Sequence, residues 1–193
     1  MSYIEVEKKR VQESLADSGF AISHIYHLLT DEELQWSEKC QEFYNTFVEN
    51  PSVRERVALL QAGKPIIDRG KVLGLDNGAF LQVYSNPTFL DIAHTYLGSE
   101  PVIRNIATWI HSYAPIAARQ RSQRWHRDTE DFRILKIWMY YSGVTVKTGA
   151  LQYVKNSRYE DKNDSIWPNY NKLADSSGLI MIFLMIPGLP MGI

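Results

Sequence analysis

The chain has 193 residues, 45% of them hydrophobic and 12% aromatic, enough apolar material for one sizeable core, so a single domain is the economical reading. Its 21 basic and 22 acidic residues leave a formal charge of −1, which argues against a general nucleic-acid binder and for a small-molecule ligand. The single Cys40 rules out an internal disulfide, and the opening MSYIEVEKKR has no apolar run, so neither a secretory signal nor a membrane span is expected there and a cytoplasmic location is the default.

In chain order, Ile4 to Asp17 sets Val11 and Leu15 among charges, the pattern of an amphipathic helix stopped by Gly19. Phe20 to Leu28 has the β-branched and aromatic content of a strand. Thr30 followed by Glu33 is a capping-box signature, and Leu34, Cys40, Phe43, Tyr44 and Phe47 mark the buried face of a helix ending before Pro51. A shorter helix is expected over Val53 to Gln61. Gly63 to Gly78, with four glycines and one proline, reads as a loop region with room for one strand.

Thr88 to Leu97 reads as a helix closed by Gly98, and Pro101 to Tyr113 as a long strand. Ile134 to Val144 and Ala150 to Lys155 read as further strands, the second opened by Gly149. Leu179 to Ile193 is strongly apolar, but Pro187, Gly188 and Pro190 break it short of the roughly 20 residues a membrane-spanning helix needs. Helices gather in 1–98 and strands in 99–193, an α+β distribution within one domain, 1–193.

The sharpest chemical signal is His126 with Asp128. In an extended stretch, residues two apart point to the same side, so the imidazole and the carboxylate can converge on one metal ion while Arg127 points away. A second histidine from elsewhere would complete a two-histidine, one-carboxylate facial triad, which leaves open positions on Fe(II) for a co-substrate and oxygen. The bland alternative is a surface histidine beside a capping or salt-bridged aspartate. Asp131 is a candidate to orient a ligand from behind.

The block from Trp125 to Arg158 resembles the phytanoyl-CoA dioxygenase-like family of Fe(II)- and 2-oxoglutarate-dependent oxygenases. In that family W-H-x-D precedes an apolar strand, and a Thr-Gly or Asn-Gly pair leads a strand ending near P-G-S-H. The matching residues are Trp125, His126 and Asp128, then Thr148, Gly149, Leu151, Val154, Ser157 and Arg158. Lys155 and Asn156 replace the Pro-Gly, and Arg158 the histidine. Upstream, Leu15 to Leu34 resembles the family's opening helix, strand and second helix, and Phe89 to Gly98 its short helix ending in Leu-Gly. The likeness covers about residues 11–160.

The resemblance implies a double-stranded β-helix (jelly-roll, cupin-like) core with N-terminal helices packed outside. It also implies Fe(II) held by His126 and Asp128, with 2-oxoglutarate and molecular oxygen as co-substrates. A small organic substrate would be hydroxylated, with succinate and CO2 released. Trp138 matches a tryptophan lining the 2-oxoglutarate pocket, with a core tryptophan as the equal alternative, and Thr108 stands near another co-substrate position. By alternation Lys136 shares the face of Trp138; an internal acid or a co-substrate carboxylate would be its partner there.

Arg119, Arg121, Arg124 and Arg127 form either a solvated loop or a surface for an anionic substrate such as a CoA thioester. His24 and His27 would point to opposite faces of a strand, and His94 and His111 show no partners in the sequence.

The sequence departs from the family late in the chain. No histidine follows Asp128, the last basic residue is Lys172, and Pro190 stands where the resemblance puts the third ligand. The expectation is a core incomplete at its C-terminus, in a truncated oxygenase. A non-catalytic small-molecule-binding or interaction protein on the same scaffold is the alternative.

Overall fold

The structure, a computed structural model, describes residues 1–61, 78–106, 133–145, 150, 151, 153 and 178–185. Helix α1 covers Tyr3–Ser18. The Ser2 hydroxyl caps it by accepting the Glu5 N–H at 3.2 Å, and Gly19 ends it at φ 80°, returning its N–H to the Leu15 carbonyl. A Cβ is strained at that φ, so glycine is the physical stop. Val11, Leu15 and Ser18 form the buried stripe of the helix.

Strand β1 covers Phe20–His24 and runs into a 3-10 turn over Ile25–His27. The strand expected to reach Leu28 stops sooner because the Leu28 and Leu29 N–H groups both donate to the Ile25 carbonyl, at 3.0 and 3.1 Å. Ile25 and Leu28 are both buried in the core. In a strand they would fall on opposite faces, whereas a 3-10 turn stacks positions three apart on one side.

Helix α2, Asp31–Glu49, opens on a closed capping box. Thr30 Oγ1 accepts the Glu33 N–H at 3.3 Å, and the Glu33 carboxylate accepts the Thr30 N–H at 2.8 Å. The same carboxylate accepts from the buried Asn86 amide at 2.6 Å. Asn86 in turn caps α5, Pro87–Leu97, by accepting the Thr88 N–H at 2.8 Å. Burial alone would raise the Glu33 pKa, but hydrogen bonds from Thr30 and Asn86 outweigh it and hold the carboxyl below its usual range.

Helix α3, Pro51–Gln61, starts two residues ahead of expectation. Asn50 accepts the Ser52 N–H with its side chain and the Val53 and Arg54 N–H groups with its carbonyl. Pro51 therefore sits in the first turn, where its missing N–H costs nothing. Helix α4, Gly78–Tyr84, has no counterpart in the sequence reading. It buries Phe80 and Val83 and packs on α2, with the Phe80 ring edge-on to Phe43 at 5.6 Å. Helix α5 buries Phe89, Ile92 and Ala93 and ends at Gly98 with φ 71°.

Among the described residues, strands β2, Arg133–Tyr140, and β3, Gly178–Met185, join β1 in a three-stranded sheet of order β1-β3-β2. β2 ends at Tyr140 rather than Val144, and the chain bends at Tyr141 and Ser142. Pro101–Ile106, expected to begin a long strand, pairs with no strand among the described residues, and Pro101 has no N–H to give a ladder. Residues 107–113 of that expected strand lie outside the described residues. Ala150, Leu151 and Tyr153 are likewise not in a strand; the Ala150 N–H donates to the Thr145 carbonyl at 3.0 Å.

Both ladders are parallel, Phe20 to His24 matching Met181 to Met185 and Arg133 to Tyr140 matching Gly178 to Met185. The apolar tail of the sequence analysis thus supplies the central strand, and its unbroken run GLIMIFLM is the composition such a strand carries. Parallel strands need long crossovers; α2 to α5 lie in the connection between the two outer strands, β1 and β2. The molecule is α+β in content. A jelly-roll is assembled from antiparallel pairs, and neither described ladder has that sense.

The core joins α1, α2, α4 and α5 to one face of the sheet, with Phe89, Ile92, Val11 and Leu15 buried at its centre and Leu135, Ile137 and Met139 of β2 packed against it. Polar ties hold the layers in register. Lys8 pairs with Asp91 at 2.8 Å and Gln12 with Thr95 at 2.9 Å, linking α1 to α5. Arg10 grips Glu7 at 2.7 and 2.8 Å and donates to the Ile22 carbonyl at 2.6 Å, while the Ser23 hydroxyl donates to Glu7 at 2.5 Å. The Arg10 guanidinium, with help from Ser23 and against burial, holds the Glu7 carboxyl below its usual range.

Phe89→Ala should cost about 3–5 kcal/mol and Thr30→Ala about 1 kcal/mol, both readable as lowered urea midpoints. For Glu7 the folded pKa lies below its ordinary 4.5, so its contribution is complete above that pH and lost as pH falls through the depressed value. Urea unfolding of Glu7→Gln should accordingly lose less stability than wild type on going from about pH 6 to about pH 3.

Candidate functional site

The pleat of β2 sorts its residues between two faces. Leu135, Ile137 and Met139 meet the helical core, so Lys136, Trp138 and Tyr140 belong to the face turned away from the helices. Through the registers, Lys136 lies in one row with Phe20, Trp138 with Ile22, and Tyr140 with His24, each across β3. Ala21 and Ser23, the alternate residues of β1, are buried on the helical side, whereas Ile22 is 44% exposed.

The short stretch around Leu151 and Tyr153 meets the far face at both sides of the sheet. Tyr140 is hydrogen-bonded to the Leu151 backbone, and the Tyr153 ring lies 5.5 Å from that of Phe20. Burial raises the Tyr140 hydroxyl above its ordinary range, with the Leu151 bond opposing it. Lys136 and Trp138 are half-buried. Sequence alternation put these two on one face, and the structure places them there together. Thr108, His126 and Asp128 lie outside the described residues, as do Asp131, Arg119, Arg121, Arg124 and Arg127.

At its C-terminal end β2 runs into the helices. The Tyr141 ring stacks on Tyr44 at 5.3 Å and meets Phe80 edge-on at 6.2 Å, and Gln41 donates to the Tyr141 carbonyl at 3.2 Å. The Tyr141 hydroxyl makes no hydrogen bond of ordinary geometry among the described residues; its polar neighbour is the Cys40 thiol. Burial pushes that thiol up to about 12, so Cys40 is a protonated, enclosed group and not a nucleophile.

Two histidine readings change. His24 and His27, assigned to opposite faces on the assumption of a continuous strand, have ring centroids 5.5 Å apart at 70°, because the 3-10 turn brings positions three apart together. The signal for this was present in the buried spacing of Ile25 and Leu28. His94, partnerless in the sequence, lies 3.5 Å from Glu100 at the C-terminal end of α5.

No cluster of three or more histidine, cysteine, aspartate or glutamate side chains able to hold a metal occurs among the described residues. Nor is any described helix long and apolar enough to cross a membrane. No family model, curated protein or solved structure matches the chain.

The two faces of β2 should respond differently to truncation. Ile137→Ala should cost about 2–5 kcal/mol, while Lys136→Met should stay within about 1 kcal/mol. Equal losses in chemical denaturation would contradict the assignment of faces.

Proposed function

We propose that the chain is an Fe(II)- and 2-oxoglutarate-dependent oxygenase of the phytanoyl-CoA dioxygenase-like type, hydroxylating a small organic substrate. The observation that carries this reading is the sequence Trp125-His126-Arg127-Asp128 a few residues ahead of β2, whose far face carries Lys136 and Trp138. The order of elements adds support. A helix closed by glycine, the Gly-Phe strand, a capped second helix and a Leu-Gly helix end all precede the His-x-Asp segment, as in that family.

The donor set suits the metal, since one imidazole and one carboxylate are ligands that Fe(II) accepts in facial-triad sites. His126 and Asp128 would hold it. Bound iron, with oxygen and 2-oxoglutarate, supplies the oxidising chemistry that yields succinate, CO2 and a hydroxylated product. Lys136 would give its ammonium to a 2-oxoglutarate carboxylate, a charge-assisted bond of about 1.5–3 kcal/mol. Trp138 would supply an apolar wall that excludes water beside it, and Thr108 a hydroxyl donor. The substrate class is open to anions through the arginines that precede Asp128.

The double-stranded β-helix belongs to this proposal, and the parallel sense of both described ladders stands against that part of it. A second reading, a non-catalytic small-molecule-binding protein on the same scaffold, is favoured by Pro190 at the position of the third metal ligand.

Thermal unfolding with Fe(II) and 2-oxoglutarate under nitrogen separates the two. The oxygenase reading expects a Tm rise that needs both additives and disappears in His126→Ala, together with succinate formed once air is admitted. No rise with either additive would end it; a rise with 2-oxoglutarate that ignores the metal would favour the binding protein.

A further inference from the structure

We propose that His24 and His27 form a second, two-imidazole site for a borderline divalent transition metal of the Zn(II) or Ni(II) class. It is independent of the oxygenase reading, because none of its residues belongs to the His126–Asp128 segment. Three observations carry it. The 3-10 turn after β1 holds the two rings side by side, with centroids 5.5 Å apart. With metal–nitrogen bonds of about 2.0–2.1 Å and a ring centre roughly 1.1 Å further on, two imidazoles on one tetrahedral ion stand about 5 Å apart between ring centres. The spacing of the two ring centres is therefore close to that of a chelating pair.

The second observation is His24 Nδ1, which is buried and has no hydrogen-bond partner among the described residues. Leaving a buried imidazole nitrogen unmatched is costly, and a metal bond would satisfy a lone pair there. The third is the wall around the pair. Tyr26 stacks on His24 at 5.1 Å and meets His27 edge-on at 4.2 Å, and Tyr3 packs edge-on to His27 at 5.1 Å, so neither imidazole swings freely.

Glu7 adds negative charge that acts on His27, yet its oxygens are engaged by Arg10 and Ser23, so it favours a cation nearby without serving as a ligand. Tyr3 and Tyr26 are 61% and 39% exposed, so the pair sits close beneath the surface. Two protein ligands are consistent with the lack of any three-residue cluster among the described residues.

The test uses the full chain, free of any histidine tag, carrying His126→Ala and Asp128→Ala so that the proposed iron ligands cannot contribute. Calorimetric titration with ZnCl2 and with NiCl2 should show one equivalent bound, and His24→Gln or His27→Gln in that background should each weaken binding at least tenfold. Circular dichroism of each variant checks that the fold is kept. An absence of binding in the background chain would overturn the site, and so would binding that both histidine substitutions leave unchanged.

Discussion

The rest of the structure depends on the pleat of β2. Its odd-numbered residues Leu135, Ile137 and Met139 enter the core shared by α1, α2, α4 and α5, which commits Lys136, Trp138 and Tyr140 to the other side. A slip of one residue would drive the Lys136 ammonium into that core and turn three apolar side chains outward, an exchange that costs far more than a ladder bond returns. Register in this sheet is therefore set by the helices, and β3 inherits it by pairing residue for residue with both neighbours.

The helical layer is fixed by a few polar ties of high geometric demand. Glu33 is at once the reciprocal member of the α2 capping box and the acceptor for Asn86, the residue that opens α5. One carboxylate thereby sets where two helices begin and how their N-termini approach. Glu7 does the corresponding work between α1 and β1, binding Arg10 and Ser23 while Arg10 reaches the Ile22 carbonyl. The Ile22 contact matters because β1 is an edge strand among the described residues, and the Arg10 guanidinium gives its carbonyl a partner there.

Helix boundaries were legible in the sequence because caps are local chemistry. Gly19, Thr30 with Glu33, and Gly98 each act through a bond to a residue three or four positions away. Strand limits were less legible, since propensity does not say where pairing stops. Phe20 to Leu28 is uniformly strand-like, yet only the first five residues find a partner in β3, and the next three form a turn that lets Ile25 and Leu28 be buried together. Helix α4 escaped notice because the glycine-rich stretch before it suggested a loop, while its fit to α2 through Phe80 is tertiary information. The partner of β1 was likewise invisible, as a pairing between residues about 160 apart leaves no local trace.

The candidate site divides along the same line. Alternation within β2 was enough to put Lys136 and Trp138 on one face, because period two is a property of the strand itself. The proximity of His24 to His27 was not available to the same rule, since it arises where the strand ends and the period changes from two to three. A His-x-x-His pair is thus separated on a strand and united on a 3-10 turn. What decided between them was the burial of Ile25 and Leu28, apolar residues that carry none of the chemistry.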